Sequence, residues 1–389
     1  MKEKILPSAM TETELSETIA PSTGQSVQRD PRGLVRRRSF LQGLGLAGVA
    51  LSTGVLVTTK ASAATFSSGG QLGKGDAAIL KLLAAAELIE ADLWQQYAEL
   101  GGVTQGTQNP YQLALQNLDG DGSQYISSNN LDEQSHAAFL NAYLVSKGEE
   151  PVDLDRFRTL PSSQATGAQQ IGRLTNVMQL SVDTSWYVRY RSATNPDFGA
   201  TFAEALGALA KGQFPGIPRT NADFGPKNHV QAIANIAAFH FGFIEQAGSS
   251  LYATLSQKVS SAEVLKITLS IGGDEICHFL EWVDFSGNGV QPPIAPFTDP
   301  TNGLHFPNFD AKKNPLIQTN LIFPVPCEFI SPNLPHCAVI RPTSPGQIDA
   351  VGAINGFISD GLFIGQTPEF SELVLNLAHE ADAATRGQL

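Results

Sequence analysis

Cysteine is scarce in this chain, with three in 389 residues. That excludes a disulfide-dense scaffold and any cluster site needing four thiolates from one polypeptide. Basic residues are also short: 25 Lys and Arg stand against 37 Asp and Glu, a formal net charge of −12. A nucleic-acid binder would show the opposite balance or a clear basic patch, and neither is visible. Charged residues of both signs make up only 16% and apolar residues 42%. The chain is therefore too apolar for disorder throughout and rich enough to bury a core. Low-complexity repeats are missing, and no apolar run is long and pure enough for a comfortable membrane span.

What is present begins with a leader. Residues 1–35 are polar, lack apolar periodicity and read as disordered. Arg36-Arg37-Arg38-Ser39-Phe40-Leu41 then precedes a Gly, Ala, Leu and Val stretch to about Val57, and Ala61-Ser62-Ala63 forms an A-x-A cleavage signal. A basic patch, a short mildly apolar run and small residues make an export signal. Arg37-Arg38-x-Phe40-Leu41 resembles the twin-arginine motif; an ordinary secretory signal and an uncleaved anchor are the alternatives. Twin-arginine export implies a periplasmic or secreted protein, cleaved after Ala63 and without a stable membrane span. It also implies cargo that crosses folded, often with its cofactor loaded.

Beyond the leader the pattern is helical. Over 76–100, Leu80, Leu83, Ala84, Glu87, Ala91, Trp94 and Ala98 share one face, with Asp76 as a cap and Gly101-Gly102 as a stop. Residues 103–127 read as irregular, and 128–147 as a second helix ended by Gly148 and Pro151. A long connection, 152–225, has helical periodicity over 164–194 and room for a short helix at 198–211. Two more strong helices are expected at 226–257 and 260–285, the latter capped by Ser260 or Ser261 with Glu263 in its first turn. Residues 286–346 hold twelve of the 23 prolines, which predicts irregular or short-strand structure. An apolar stretch at 347–364 and a helix at 368–386, with Thr367 as cap and Pro368 at its first position, complete the chain.

Two Glu-x-x-His pairs stand out, Glu133-Gln-Ser-His136 and Glu275-Ile-Cys-His278. Residues three apart lie on one helical face, so each pair can grip one ion or bridge two. The other two strong helices each place a carboxylate in an apolar face, Glu87 and Glu245, which is costly unless the charge is paired or binds metal. Each has an aromatic seven residues on, Trp94 and Tyr252. The order is thus Glu…aromatic, Glu-x-x-His, long connection, Glu…aromatic, Glu-x-x-His. Glu90, with Tyr97 seven residues on, competes with Glu87 as the first-helix ligand. Leu80, Leu83 and Ala84 share Glu87's face and favour it.

This pattern resembles the ferritin-like di-iron carboxylate superfamily, with the ligand order of bacterioferritin and rubrerythrin. Glu87-Leu-Ile-Glu90-Ala-Asp-Leu-Trp94 looks like the first helix of the bacterial and fungal ferritin-like family linked to stress and desiccation. The resemblance covers about 76–285. It implies an all-α fold: a ferritin-like four-helix bundle with a long crossover, followed by a Pro-rich C-terminal extension with terminal helices. The expected domains are the leader 1–63, the bundle 64–286 and the extension 287–389.

The resemblance also implies six metal ligands, Glu87, Glu133, His136, Glu245, Glu275 and His278, holding two Fe or Mn ions; oxygen and imidazole donors suit these metals. Glu90, Trp94 and Tyr252 would stand just behind the ligands, although Trp94 and Tyr252 read first as plain core residues, with a radical or electron-relay role as the alternative. The implied function is an exported oxidoreductase of peroxidase, catalase or ferroxidase type, reacting with peroxide or O2 in stress defence. An iron-storage or metal-binding protein is the alternative, as is a structural envelope-stress protein with little turnover. With no rubredoxin-type cysteine set, electrons must come from an external donor; a homo-oligomer is compatible with the reading.

Of the remaining residues, His240 lies five before Glu245, off the ligand face, and reads as structural. His229, His305, His336 and His379 fit no ligand pattern. Cys277 reads as core. Cys327 and Cys337, in a Pro-rich segment of an exported chain, are candidates for a disulfide. Asp132, Asp274 and Glu281 flank the pairs, either hydrogen-bonded behind the ligands or exposed.

Overall fold

A computed structural model describes residues 71–191, 202–310, 317, 319, 322–339 and 349–387. The leader expectations on 1–63 lie outside the described residues. The described residues all fall in one compact unit, Phe66–Leu389. Their structure is mostly helical, with eight α-helices and one two-stranded sheet among them.

Three of the four long helices come where apolar residues recur at helical spacing, while the fourth, Gly122–Ser146, is more polar and lacks a clear apolar stripe. The four are α1 (Lys74–Gly101), α3 (Gly122–Ser146), α5 (Lys227–Ser256) and α6 (Ala262–Asn288). The shorter helices are α2 (Pro110–Leu118), α4 (Trp186–Arg189), α7 (Ala350–Ser359) and α8 (Pro368–Ala383). Helix α1 packs chiefly on α3, and α5 on α6, while α8 lies against α1 and α7 against α5 and α8. An aromatic cluster joins three of the long helices: Trp94 stacks on Trp282 at 5.3 Å between centroids, and Phe241 lies 4.7 Å from Trp94 and 4.6 Å from Trp282. All three rings are fully buried. No helix among the described residues is long and apolar enough to cross a membrane.

Several expectations need correction. Asp76 does not cap its own helix, which starts two residues earlier. Its carboxylate instead accepts from the backbone N–H groups of Ser260 and Ser261, at the start of α6. The segment 103–127 is not wholly irregular: Asn109 and Gln112 form a capping box with Pro110 at the first position, and that local chemistry starts α2. Helix α3 starts six residues before the expected 128.

The connection 152–225 carries far less helix than its periodicity suggested, only α4 and two single 3₁₀ turns among its described residues. Its backbone donors are engaged elsewhere. Leu160 and Arg173 pair across an isolated bridge, as do Leu180 and Phe214, and the N–H groups of Leu174 and Thr175 point into the Asp92 carboxylate. Residues 202–211 form turns, not a helix.

The described part of the Pro-rich stretch contains the paired strands β1 (Phe297–Thr298) and β2 (His305–Phe306). The terminal helices are anchored by charge. Asp382 of α8 accepts from the N–H groups of Ala350 and Val351 at the start of α7, and binds Lys258 after α5. Thr367 caps α8, with Pro368 at its first position. Cys327 and Cys337 face each other as reciprocal backbone hydrogen-bond partners, both N···O distances being 3.0 Å, but their thiols are free. Cys277 is exposed rather than core, because its position on α6 turns away from α5.

Candidate metal centre

Six acidic and imidazole side chains meet where α1, α3, α5 and α6 come together. They form two groups whose donor atoms lie within 4.8 Å of one another: Glu87, Glu133, His136 and Glu275, and Glu133, Glu245, Glu275 and His278. Glu133 and Glu275 belong to both. Glu133 directs one oxygen to each imidazole, Oε2 at 3.2 Å from His136 Nδ1 and Oε1 at 3.2 Å from His278 Nδ1. Glu87 Oε2 lies 3.3 Å from His136 Nδ1, and Glu245 Oε2 lies 3.3 Å from His278 Nδ1. Two shared carboxylates between two terminal Glu/His pairs is a geometry for two ions.

The terminal carboxylates are oriented by a crossed arrangement. Trp94, on α1, donates its indole N–H to Glu245 Oε1 on α5 at 3.0 Å. Tyr252, on α5, donates its phenol to Glu87 Oε1 on α1. Each aromatic thus serves the carboxylate of the facing helix, not the one seven residues before it. Asn129 Nδ2 also donates to Glu245 Oε1 at 3.0 Å. Sequence reasoning missed Asn129; its signal was a buried amide one turn before Glu133.

The outward imidazole nitrogens are crossed in the same way. Asp274 Oδ2 lies 3.2 Å from His136 Nε2, and Asp132 Oδ2 lies 3.4 Å from His278 Nε2. Each Asp precedes the Glu of the other pair. These two carboxylates are half-exposed, so the imidazoles mark the solvent side of the cluster. Gly248 of α5 makes room: a Cβ there would collide with Glu275 Oε2.

Electrostatically the cluster is strained without cations. Burial pushes the Glu133 carboxyl up to about 8 against the lowering effect of both histidines. Burial and the neighbouring charges of Glu133 and Glu245 raise Glu275 well above the carboxylate range. Burial alone would lower His136, but Asp274, Glu133 and Glu87 outweigh it and carry it up to about 12. His278 is likewise raised, by Glu245, Asp132 and Glu133 against burial. Burial and like charge thus favour the protonated forms of Glu133 and Glu275, and the acids beside them favour the protonated imidazoles.

The inward-facing atoms are also unsatisfied. Glu87 Oε2, Glu133 Oε1, Glu245 Oε2, both Glu275 oxygens and His278 Nδ1 are buried and, although close to one another, make no aligned hydrogen bond. Such atoms are costly in a protein interior, and divalent cations would satisfy them. Four carboxylates match the charge of two such ions, and the O/N donor set fits iron or manganese.

Glu90 is buried but joins neither group. Burial, then the charges of Glu133, Glu87 and Glu245, raise it well above its ordinary range. Glu281, pushed up to about 8 by burial, lies outside the cluster too. The other histidines lie away from the ligand groups. His229 is held between Asp299 at 2.9 Å and Asp223 at 3.2 Å, and His240 is buried beside Asp360. Compared with known protein families, with curated proteins and with solved structures, the chain matches none.

Proposed function

We propose that the chain is an exported, ferritin-like dinuclear metal protein that reacts with peroxide or O2 as an oxidoreductase. The observation that carries the reading is the pair of buried four-residue groups sharing Glu133 and Glu275. Four long helices each contribute to those groups, two of them a single Glu and two a Glu-x-x-His, which is the ligand distribution of ferritin-like carboxylate proteins. The leader's Arg37-Arg38-x-Phe40-Leu41 motif supports export, and a folded, loaded cargo suits a metal centre.

Glu87 and His136 would hold one ion, Glu245 and His278 the other, with Glu133 and Glu275 between them. Bound there, an iron or manganese pair would supply the one-electron steps that reduce peroxide or O2. The chain's own residues hold that pair in place. Trp94, Asn129 and Tyr252 each fix one oxygen of a terminal carboxylate and leave the other facing inward. Asp132 and Asp274 orient the imidazoles from the solvent side. The buried aromatic cluster keeps water from the opposite side. With three cysteines the chain lacks the four-thiolate set of a rubredoxin-type electron carrier, so an external donor would supply electrons.

Metal analysis of the chain after expression with iron or manganese tests the reading. About two ions per chain are expected, with peroxide consumption that disappears in Glu245→Ala and His278→Ala. A chain that takes up no metal sinks the proposal. Metal uptake without any turnover leaves a metal-binding protein and removes the oxidoreductase.

A further inference from the structure

Next to the cluster stands a second buried polar group that metal binding does not use. The Tyr97 hydroxyl lies 2.8 Å from His240 Nδ1, and His240 Nε2 lies 2.9 Å from Asp360 Oδ2. Tyr97 and His240 are wholly buried and Asp360 nearly so. Placing a carboxylate and an imidazole in such an interior is expensive, and apolar residues of the same size would stabilise the core as well or better. Asp360 approaches Nε2 at an ion-pair distance without hydrogen-bond alignment, and its charge stabilises the tautomer protonated there. A phenol that donates to Nδ1 requires the imidazole proton on Nε2, where the Asp360 carboxylate sits. His240 is thus set to accept a proton from Tyr97.

Tyr97 is also placed for electrons. Its ring centroid lies 5.8 Å from that of Trp94, and Phe241 packs against both, at 4.6 Å from Tyr97 and 4.7 Å from Trp94. Trp94 in turn donates its N–H to Glu245, in the cluster itself. Another buried tyrosine, Tyr111, donates to the backbone carbonyl of Gly216, which cannot take up a proton. Tyr97 combines an aromatic path to the cluster with an imidazole on its oxygen, whereas the phenol of Tyr252 meets a cluster carboxylate, Glu87, directly.

We propose that Tyr97, His240 and Asp360 form a proton-coupled electron relay that serves the metal cluster through Trp94. The proposal rests on the reading of that cluster as a redox metal pair. When the pair has been oxidised by peroxide, Tyr97 gives it one electron by way of Trp94. In the same step the phenolic O–H bond breaks and the proton passes to His240 Nδ1, forming a phenoxyl radical and an imidazolium that faces Asp360. A one-electron reductant from outside, such as a hydroquinone, returns the electron, and the proton goes back to the Tyr97 oxygen. Tyr97 is the redox residue; His240 and Asp360 are positioning residues for its proton.

Two measurements test this, one of them independent of metal. An ultraviolet flash photoionises tryptophan in the metal-free chain, and the decay of the indolyl signal is followed against the rise of phenoxyl absorption. Tyr97→Phe should remove part of the phenoxyl rise, and His240→Gln should slow that part about tenfold, as expected for losing one hydrogen-bonded proton acceptor. Asp360→Asn should slow it less. Circular dichroism melting separates these effects from misfolding, and Asp360→Asn serves if His240→Gln does not fold. In the metal-loaded chain, peroxide should produce a phenoxyl signal in electron paramagnetic resonance that Tyr97→Phe abolishes. Flash kinetics identical in wild type and Tyr97→Phe would overturn the relay even if metal binds. A chain that binds no metal, yet passes the flash test, would overturn the proposed function and the relay's service to it, and leave only the path from tryptophan to Tyr97.

Discussion

Two carboxylates five residues apart on α1 live opposite lives. Asp92 is as buried as Glu87, yet its charge is fully engaged. Its Oδ2 accepts from Leu174 N, Thr175 N, the Thr175 hydroxyl and Gln96 Nε2, while Oδ1 receives Arg158 at 2.7 Å. Glu87 has one oxygen on Tyr252, and its other oxygen, with no hydrogen-bond partner, is grouped with Glu133, Glu275 and the imidazole of His136. One helix therefore carries a carboxylate whose oxygens are all engaged by the connection 152–225 and a carboxylate with an oxygen that could meet an ion. Burial does not separate them; satisfaction of the oxygens does.

The sharpest way to break this comparison is to remove a shared ligand. Glu275→Gln should abolish metal uptake, read as ions per chain, yet should not lower the melting temperature of the metal-free chain, because an unpaired buried acid is lost. Asp92→Ala should do the reverse. It strips partners from two buried N–H groups and from Arg158, and should cost about 3 kcal/mol or more in a denaturant titration, with the metal count unchanged. A fall in metal-free stability for Glu275→Gln equal to that of Asp92→Ala would erase the distinction.

Smaller changes sharpen it. Asn129→Ala removes one of the two donors on Glu245 Oε1, leaving Trp94, and should weaken metal affinity by about 10-fold, measured by competition with a chelator. The effect of pH is next. Glu133, raised from 4.5 to about 8, gives the metal-free chain stability that is complete below its unfolded value and lost as pH climbs toward 8. His136, raised from 6.5 to about 12, acts in the same direction over its own higher range. Metal-free melting temperatures should fall as pH rises from about 5 to 8, while metal affinity rises about tenfold per pH unit for each proton displaced. Least affected should be Asp132→Asn, at a half-exposed position, with stability changed by about 0.5 kcal/mol or less.

The six clustered side chains were legible because helical spacing is local. A Glu and a His three apart share a face wherever the helix goes, and an acid within an apolar face announces itself. Glu87 over Glu90 was legible for the same reason, since the apolar residues one and two turns before Glu87 set its direction. What stayed hidden was everything decided across the fold. Trp94 serving Glu245, Tyr252 serving Glu87, and Asp76 capping α6 from 184 residues away depend on which helices face one another. The crossover misled because its apolar periodicity was real, but side chains such as Asp92 took the backbone donors a helix would have used. Helix α2 was overlooked although Asn109, Pro110 and Gln112 spelled its start.

The crossed donors have one more consequence. Glu87 leans on a phenol, while Glu245 leans on an indole N–H and an amide. Phenol is the more acidic donor, so the two carboxylates differ in basicity although their helices repeat one pattern. Two ions of one element placed there would be unequal neighbours. A substoichiometric titration would fill one place before the other, and Mössbauer spectra of an iron-loaded sample would show two doublets. The halves of the chain match in order, but the pair they hold would have a front and a back.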